Sequence, residues 1–157
     1  MLLGGRRGLA VTRPSAIAGL VLTLIGLGDS IYLAYEHATA NASMACSGHG
    51  AVDCVKVTTS SYSKLSGIPV AYLGVAFFAA ALGLAMVALI GAPRMALLAE
   101  NARLAATGIG VAMVAYLVWA EVQVGAICLW CTGVHLVTLA LFVLSLFVVV
   151  LRDPSDA

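Results

Sequence analysis

The chain has 157 residues, of which 62% are hydrophobic and only 10% are charged. The apolar share of a soluble domain is nearer half, so this composition excludes an ordinary soluble protein and indicates an integral membrane protein in contact with lipid. The net charge of +1 leaves no basic surface of the kind that nucleic-acid binding requires, so nucleic acid is not expected as a partner.

Four apolar runs follow one another along the chain, each long enough to cross a bilayer as a helix. We predict spans at about residues 15–36, 68–92, 103–121 and 127–151 of a single domain that covers residues 1–157. The first run also fits a secretory signal, because a basic start and Ala38-Thr39-Ala40 flank it, but it exceeds the usual apolar core of ~7–15 residues. Mostly short connections predict an all-α membrane protein, a four-transmembrane-helix bundle with a long loop between helices 1 and 2.

The connections differ in length. Residues 36–67 form a long polar loop that contains Cys46 and Cys54, and such long loops are usually functional. The flexible segment Ser47-Gly48-His49-Gly50 lies between these cysteines and would let the loop swing one of them onto another thiol. Residues 92–103 are predicted to be a short polar connection between helices 2 and 3.

The positions of Lys and Arg predict the orientation. Six of the eight basic residues fall on the side of the termini and two fall on the side of the long loop, namely Arg6, Arg7, Arg13, Arg94, Arg103 and Arg152 against Lys56 and Lys64. The positive-inside rule places both termini in the cytoplasm and the long loop outside the cell (plasma) membrane. Disulfides persist in extracytoplasmic compartments, so cysteines in this loop agree with the orientation.

Four cysteines form two clusters, Cys46 with Cys54 in the loop and Cys128 with Cys131 at the start of the last span. Thiols spaced C-x-x-C share one helix face, and a helix N-terminus favours the thiolate that performs disulfide exchange. Both clusters lie on one side of the membrane, which favours paired redox cysteines. Two other interpretations remain, simple apolar packing and a four-thiolate metal-binding or transport module without redox catalysis. The interval between the loop cysteines is wider than usual zinc half-sites, so no metal site is predicted.

Two ionisable side chains lie within the predicted spans. His135 shares a helix face with Cys128 and Cys131, and either takes part in their site or bonds a neighbouring carbonyl. Asp29 is interpreted as a buried structural acid that is paired across helices.

Several short motifs occur in a fixed order along residues 16–150. They are Ser30-Ile31-Tyr32-Leu33-Ala34-Tyr35-Glu36-His37 closing helix 1, Cys46-x₇-Cys54, Ser60, Gly67-Ile68-Pro69 opening helix 2 and Cys128-Leu129-Trp130-Cys131 opening the last helix. In order and spacing they resemble the bacterial branch of the vitamin K epoxide reductase family. The other four-helix family of disulfide-generating oxidases carries its C-x-x-C in the first outer loop, so the order of clusters disfavours that family.

The resemblance implies a quinone-dependent thiol oxidoreductase that generates disulfides through four catalytic cysteines. Cys131 would reduce a quinone, menaquinone or ubiquinone, held near the outer end of the bundle. Cys128 would exchange with the loop pair, and we expect Cys54 to form the transient link between the pairs. The electron donor would be a separate extracytoplasmic thioredoxin-fold protein acting in trans on a monomer.

The same resemblance directs attention to the residues around the quinone. Ser60 matches a family serine near the quinone, His135 stands where relatives often carry a tyrosine that contacts the ring, and Val70 stands where many carry asparagine. Tyr62 and Tyr116 belong to a group of aromatic residues toward the outer half that a stacked quinone ring would use. These five residues are the predicted quinone-binding set.

Overall fold

The computed structural model of the chain describes residues 5–40, 43–46 and 50–151. Of residues 5–13 it describes the backbone but not the side chains. The elements in chain order are α1 (Gly5–Ala38), α2 (Cys54–Thr58), a 3-10 turn (Ser61–Ser63), β1 (Lys64–Leu65), β2 (Ile68–Pro69), α3 (Val70–Ile90), α4 (Pro93–Val124) and α5 (Leu129–Val150). The predicted all-α fold is confirmed. Residues 47–49, for which flexibility is predicted, and the side chains of Arg6, Arg7, Arg13 and Arg152 lie outside the described part of the chain.

Four helices are long and apolar enough to cross a membrane, namely Pro14–Ala38 within α1 and the whole of α3, α4 and α5. They pack around one another and present large apolar side chains outward. Ile25 in α1 is 53% exposed and Ile109 in α4 is 74% exposed. Such exposure is unfavourable in water and natural in lipid, because the hydrocarbon of the bilayer solvates apolar side chains. The chain is therefore a multi-pass membrane protein.

The interior of this bundle contains many small and hydroxyl side chains. Thr23 is fully buried and donates to the carbonyl of Gly19 at 2.7 Å, and Thr107 donates to the carbonyl of Arg103 at 2.8 Å. A hydroxyl that bonds back to its own helix is satisfied without a partner from another helix. Small residues then allow the helices to approach closely, which drives packing where lipid removes the usual hydrophobic gain.

The helix boundaries depart from the predicted spans mainly in α1 and α4. The predicted span at residues 15–36 lies inside the longer α1, which contains Pro14. The predicted connection at residues 92–103 is helical from Pro93 onward. Proline suits the first turn of a helix, where its missing N–H has no intrahelical partner, so α4 begins where a break was expected. Arg103 is consequently buried within α4, with 1% of its surface exposed.

Arg103 belongs to a buried ion pair at the end of the bundle opposite the cysteines. Its Nη2 lies 2.6 Å from Oε2 of Glu100, and its Nε donates to the hydroxyl of Ser145 in α5 at 3.0 Å. A charge inside a membrane protein is strongly destabilising unless it is paired. The ion pair lies within α4, and the hydrogen bond from Arg103 to Ser145 joins α4 to α5.

The loop after α1 folds over the other end of the bundle. Its last part is a hairpin in which Lys64 pairs with Pro69 and Leu65 pairs with Ile68. Ser66 and Gly67, with φ of 52° and 84°, form the connecting turn. Two successive residues with positive φ are typical of the tight turns that match the twist of a hairpin.

Candidate active site

The C-x-x-C pair lies at the N-terminus of α5. Cys128 is the residue that precedes the first turn, and its Sγ accepts the N–H of Cys131 at 3.2 Å. Cys128 is fully buried, whereas Cys131 is half-buried. Both thiols are free, as the spacing at the head of a helix allows. The sulfur atom thus caps the helix as a Ser or Asp oxygen would.

This environment lowers the pKa of the Cys128 thiol. The largest cause is the hydrogen bond from the side chain of Cys131, and the backbone N–H groups of Cys131 and Trp130 act in the same direction. Burial and the negative charge of Glu121 oppose them. Since the thiolate is the attacking species in disulfide exchange, Cys128 is the sulfur of this pair that is prepared for exchange.

The two loop cysteines form a disulfide, Cys46–Cys54. Cys54 is the first residue of α2 and is fully buried, while Cys46 is 8% exposed. Both pack with Cys128 in one buried cluster that also contains Leu33 and Met44. A disulfide leaves neither sulfur free as a thiolate ligand, which argues against the four-thiolate metal site.

Backbone hydrogen bonds hold the two cysteine clusters together. The N–H of Ile127 donates to the carbonyl of Ala51 at 2.8 Å, and the N–H of Asp53 donates to the carbonyl of Ile127 at 3.1 Å. Asp53 and Ile127 immediately precede Cys54 and Cys128 in the sequence. The described part of the loop thus places Cys54 and Cys128 in the same buried cluster, and the swing of the loop onto Cys128 stays a prediction.

The segment that carries Cys46 is attached to α1. The carboxylate of Glu36 accepts the hydroxyl of Ser43 at 2.6 Å and the backbone N–H of Ser43 at 3.3 Å. The hydroxyl of Tyr32 accepts the N–H of Ala45 at 3.1 Å. The last turns of α1 therefore determine where the more exposed sulfur of the disulfide lies.

An apolar cavity of about 260 Å³ lies beside the inner pair, and Cys131 contributes to its wall. Helices α3 and α4 contribute the largest share of its apolar lining, including Phe77, Met113 and Leu117. The volume is slightly below the ~300 Å³ at which drug-sized ligand pockets begin. An apolar ring can therefore bind next to a reactive sulfur.

Four of the five predicted quinone-binding residues, Ser60, Tyr62, Val70 and His135, line this cavity. The hydroxyl of Ser60 donates to the carbonyl of Val57 at 2.7 Å, so its oxygen is left to accept. His135 is 5% exposed. The structure thus brings these four residues together around one space.

Tyr116 lies outside the lining of the cavity. Its hydroxyl approaches the backbone carbonyl of Tyr62 at 3.4 Å, and its ring lies 6.0 Å from that of Trp119. Trp119 in turn packs edge-on against the ring of Tyr62, with centroids 5.4 Å apart. Tyr116 and Trp119 therefore contact Tyr62 and do not line the cavity themselves.

Two residues that line the cavity each carry a buried polar atom without a partner among the described residues. Oγ of Ser30 and Nε2 of His135 make no hydrogen bond to any described residue. Buried polar atoms in proteins are nearly always paired, so these two suit a ligand that carries its own oxygen atoms on an apolar ring. Ser30 enters the sequence argument only as part of a motif; the signal that would have singled it out is a hydroxyl in the middle of an apolar run. A quinone fits this combination of ring-sized space and polar atoms.

Glu121 is a second residue whose place the sequence does not reveal, because there it only marks the end of a span. It is 9% exposed and lines the cavity. Its Oε1 accepts the backbone N–H of Cys128 at 3.2 Å. The signal in the sequence is an acidic residue seven positions before the first cysteine of the C-x-x-C pair.

Asp29 lies at the contact between α1 and α5. A Cβ placed on Gly133 would stand 2.6 Å from its Oδ2, so only glycine fits opposite this carboxylate. Oδ1 is buried and accepts no hydrogen bond within the described ranges. The side chain of Asp29 therefore lies against another helix, as the structural interpretation expects, but its Oδ1 lacks the expected partner among the described residues.

Comparison with known proteins bears on this arrangement. No curated protein matches the chain. The sequence pattern described as "Vitamin K epoxide reductase family" matches residues 17–146, a range that includes all four cysteines and every residue that lines the cavity. The family implies a thiol oxidoreductase, in agreement with the disulfide beside a free thiol pair. The chain therefore belongs to the vitamin K epoxide reductase family.

Proposed function

We propose that the protein generates disulfides by passing electrons from a reduced thioredoxin-fold protein to a membrane quinone. The electrons enter at Cys46 and Cys54 and continue through Cys128 and Cys131. One observation carries the proposal. The loop disulfide packs against Cys128, and the partner of Cys128, Cys131, lines an apolar cavity within a membrane-embedded bundle.

The outer pair receives the electrons. Cys46 is 8% exposed and Cys54 is fully buried, so the thiolate of the partner protein attacks Cys46 and releases Cys54 as a thiolate. The second thiol of the partner then attacks the mixed disulfide. The partner leaves with a new disulfide, and Cys46 and Cys54 are left as a dithiol that holds two electrons.

The inner pair takes these electrons by a second exchange. The thiolate of Cys54 attacks Cys128 in a Cys128–Cys131 disulfide and releases Cys131 as a thiolate at the cavity wall. Cys46 then attacks Cys54, which restores the loop disulfide and leaves the inner pair reduced. The structure has this state, a Cys46–Cys54 disulfide beside two free thiols.

The cavity residues hold the acceptor. A bound quinone, menaquinone or ubiquinone, takes up two electrons and two protons and departs as the hydroquinone. Ser30 and His135 offer the polar atoms that lack a partner among the described residues, and Ser60 offers its hydroxyl oxygen. Phe77 and Leu117 provide apolar surface for the ring and exclude water from Cys131.

The proposal includes a location. We place the protein as a monomer in the cell membrane, with both termini in the cytoplasm and the cysteines outside. Exposed Lys56 and Lys64 lie at the cysteine end, and exposed Arg94 lies at the opposite end. Arg103 is buried and paired, so it no longer counts as a basic residue of a loop; the predicted excess of positive charge on the terminal side still supports this orientation.

The proposal is tested with purified protein in lipid nanodiscs that contain a quinone. Reduced thioredoxin-fold protein is added, and hydroquinone formation is followed by absorbance for the wild type and for each Cys→Ala variant. Cys131→Ala should abolish hydroquinone formation while the partner can still be trapped on Cys46. Normal oxidation of the partner by this variant would rule out the proposed path. Bound zinc with four alkylation-protected thiols would instead support the metal-binding module.

A further inference from the structure

Glu121 is a buried carboxylate for which the thiol relay has no use. It lies in the last turns of α4 on the wall of the cavity, and only 9% of its surface is exposed. An acidic side chain at such a site opposes folding because it loses its hydration. Residues of this kind are by default candidates for a function in the bundle interior.

The contacts of Glu121 link it to the thiol pair. Its carboxylate accepts the N–H of Cys128 at 3.2 Å, and its backbone carbonyl accepts the N–H of Gly125 at 2.9 Å. Gly125 has a φ of 66°, in the left-handed region that favours glycine, and it turns the chain from α4 toward Cys128. Glu121 therefore holds both ends of the short connection that presents the C-x-x-C pair.

Other titratable groups surround the same space. Four of them line the cavity with Glu121, namely His37 of α1, Tyr62 of the 3-10 turn, and Cys131 and His135 of α5. Asp29 of α1 and Tyr72 of α3 lie outside the lining, and Lys56 of α2 is exposed. The charge of Glu121 acts on both thiols of the pair, and that of Asp29 acts on Cys131. Asp29 is therefore the competing acidic group in any test.

We propose that Glu121 positions the C-x-x-C pair through the Cys128 amide and carries one of the protons that this pair releases. Closing the Cys128–Cys131 disulfide breaks two S–H bonds and yields two electrons and two protons. Both electrons and both protons pass to the quinone of the proposed function, on which this inference rests. One proton moves from Cys128 to the carboxylate of Glu121 and then into the cavity; the other passes from Cys131 directly into the cavity.

Infrared difference spectroscopy tests the proton carrier without partner or quinone. In a Cys46→Ser/Cys54→Ser background, glutathione buffers convert the inner pair between dithiol and disulfide, and the two spectra are subtracted. With no quinone to take the proton onward, it stays on Glu121, so a gain in the carboxylic-acid C=O band is expected on oxidation, and Glu121→Gln should remove this gain while Asp29→Asn keeps it. A band that persists in Glu121→Gln, or disappears in Asp29→Asn, would overturn the proton role. Failure of quinone reduction in the nanodisc assay would instead contradict the proposed function and leave this result unaffected.

Hydrogen exchange of the Cys128 amide tests the positioning role. Glu121→Gln retains a neutral oxygen that can accept this N–H, so its exchange should be closer to that of the wild type than to that of Glu121→Ala. Glu121→Ala removes the acceptor, and exchange should become roughly tenfold faster, the effect of losing one hydrogen bond to a charged group. Glu121→Asp, which is one methylene shorter, should show the same loss if the alanine variant does not fold. Unchanged exchange in either variant would overturn the positioning role.

Discussion

The two ends of the helix bundle both bury polar side chains, yet they use them differently. At one end Arg103 is paired with Glu100 and bonded to Ser145, so its charge is neutralised inside the protein. At the other end Ser30 and His135 line a cavity, and each has a buried polar atom that bonds to no described residue. The first arrangement joins helices, and the second leaves bonding capacity for a ligand.

This difference shows that a buried ionisable residue in a membrane protein does not by itself mark an active site. Burying Arg103 costs more free energy, but Glu100 pairs with its charge; its Nη1 also lacks a hydrogen bond within the described residues, yet Arg103 lines no part of the cavity. At the cysteine end the deciding feature is the combination of unpartnered polar atoms, a ring-sized cavity and a free thiol in its wall. Substitutions in each region test this difference.

The largest expected effect follows from breaking the ion pair. Arg103→Ala removes the buried guanidinium that pairs with Glu100 and bonds to Ser145, and should lower the free energy of unfolding by about 3–5 kcal/mol. The measurement is equilibrium unfolding in mixed detergent micelles. The double variant Glu100→Gln/Arg103→Met removes both charges and should recover most of the loss. A single variant as stable as the wild type would show that neither the ion pair within α4 nor the bond to Ser145 stabilises the bundle.

A smaller effect is expected from a substitution at Gly26 of α1, which lies against a residue that lines the cavity. A Cβ added at Gly26 would overlap the ring of Phe78, which is fully buried and lines the cavity. Gly26→Ala should therefore cost about 1–3 kcal/mol of stability and weaken quinone binding, because the ring moves into the cavity.

The matched control for this change is Gly28→Ala in the same helix. No described atom lies within 4 Å of a Cβ at Gly28, so this variant should be neutral or slightly more stable. Unfolding and quinone titration of both variants measure the contrast. Equal stability of the two would contradict the close approach of Gly26 and Phe78.

The smallest expected effect is a shift along the pH axis at the cysteine end. The pKa of Cys128 is lowered, first by the Cys131 side chain, so its thiolate persists to lower pH than that of an ordinary cysteine, whose pKa is ~8.5. Exchange between Cys128 and the loop disulfide should rise with pH and level off below that value. Acid quenching followed by alkylation gives the rate at each pH.

Two variants sharpen this measurement. Cys131→Ser keeps a hydrogen-bond donor beside Cys128, so the rise should stay at low pH, whereas Cys131→Ala removes the donor and should move it upward. Coincident profiles for the two variants would show that the side chain of Cys131 is not the main cause of the lowered pKa.

Much of this molecule can be predicted from local features of the chain. Apolar runs of sufficient length predict the spans, because an isolated helix must satisfy its own backbone in lipid. The spacing of Cys128 and Cys131 predicts two thiols on one turn at a helix start, which the structure has. The start of α4 is the exception. Arg103 and its polar neighbours indicate a loop only if their pairing inside the bundle is ignored.

The membrane fold, the position of the thiol pair at a helix N-terminus and the motifs of the family follow from the sequence, since each depends on residues close together along the chain. Three features are visible only in the tertiary structure: Cys54 and Cys128 share one buried cluster, Ser30 and His135 line one cavity, and Glu121 accepts a hydrogen bond from the Cys128 amide. These contacts join residues from different helices and the loop. Their geometry depends on how the helices pack, and no spacing along the chain encodes that packing.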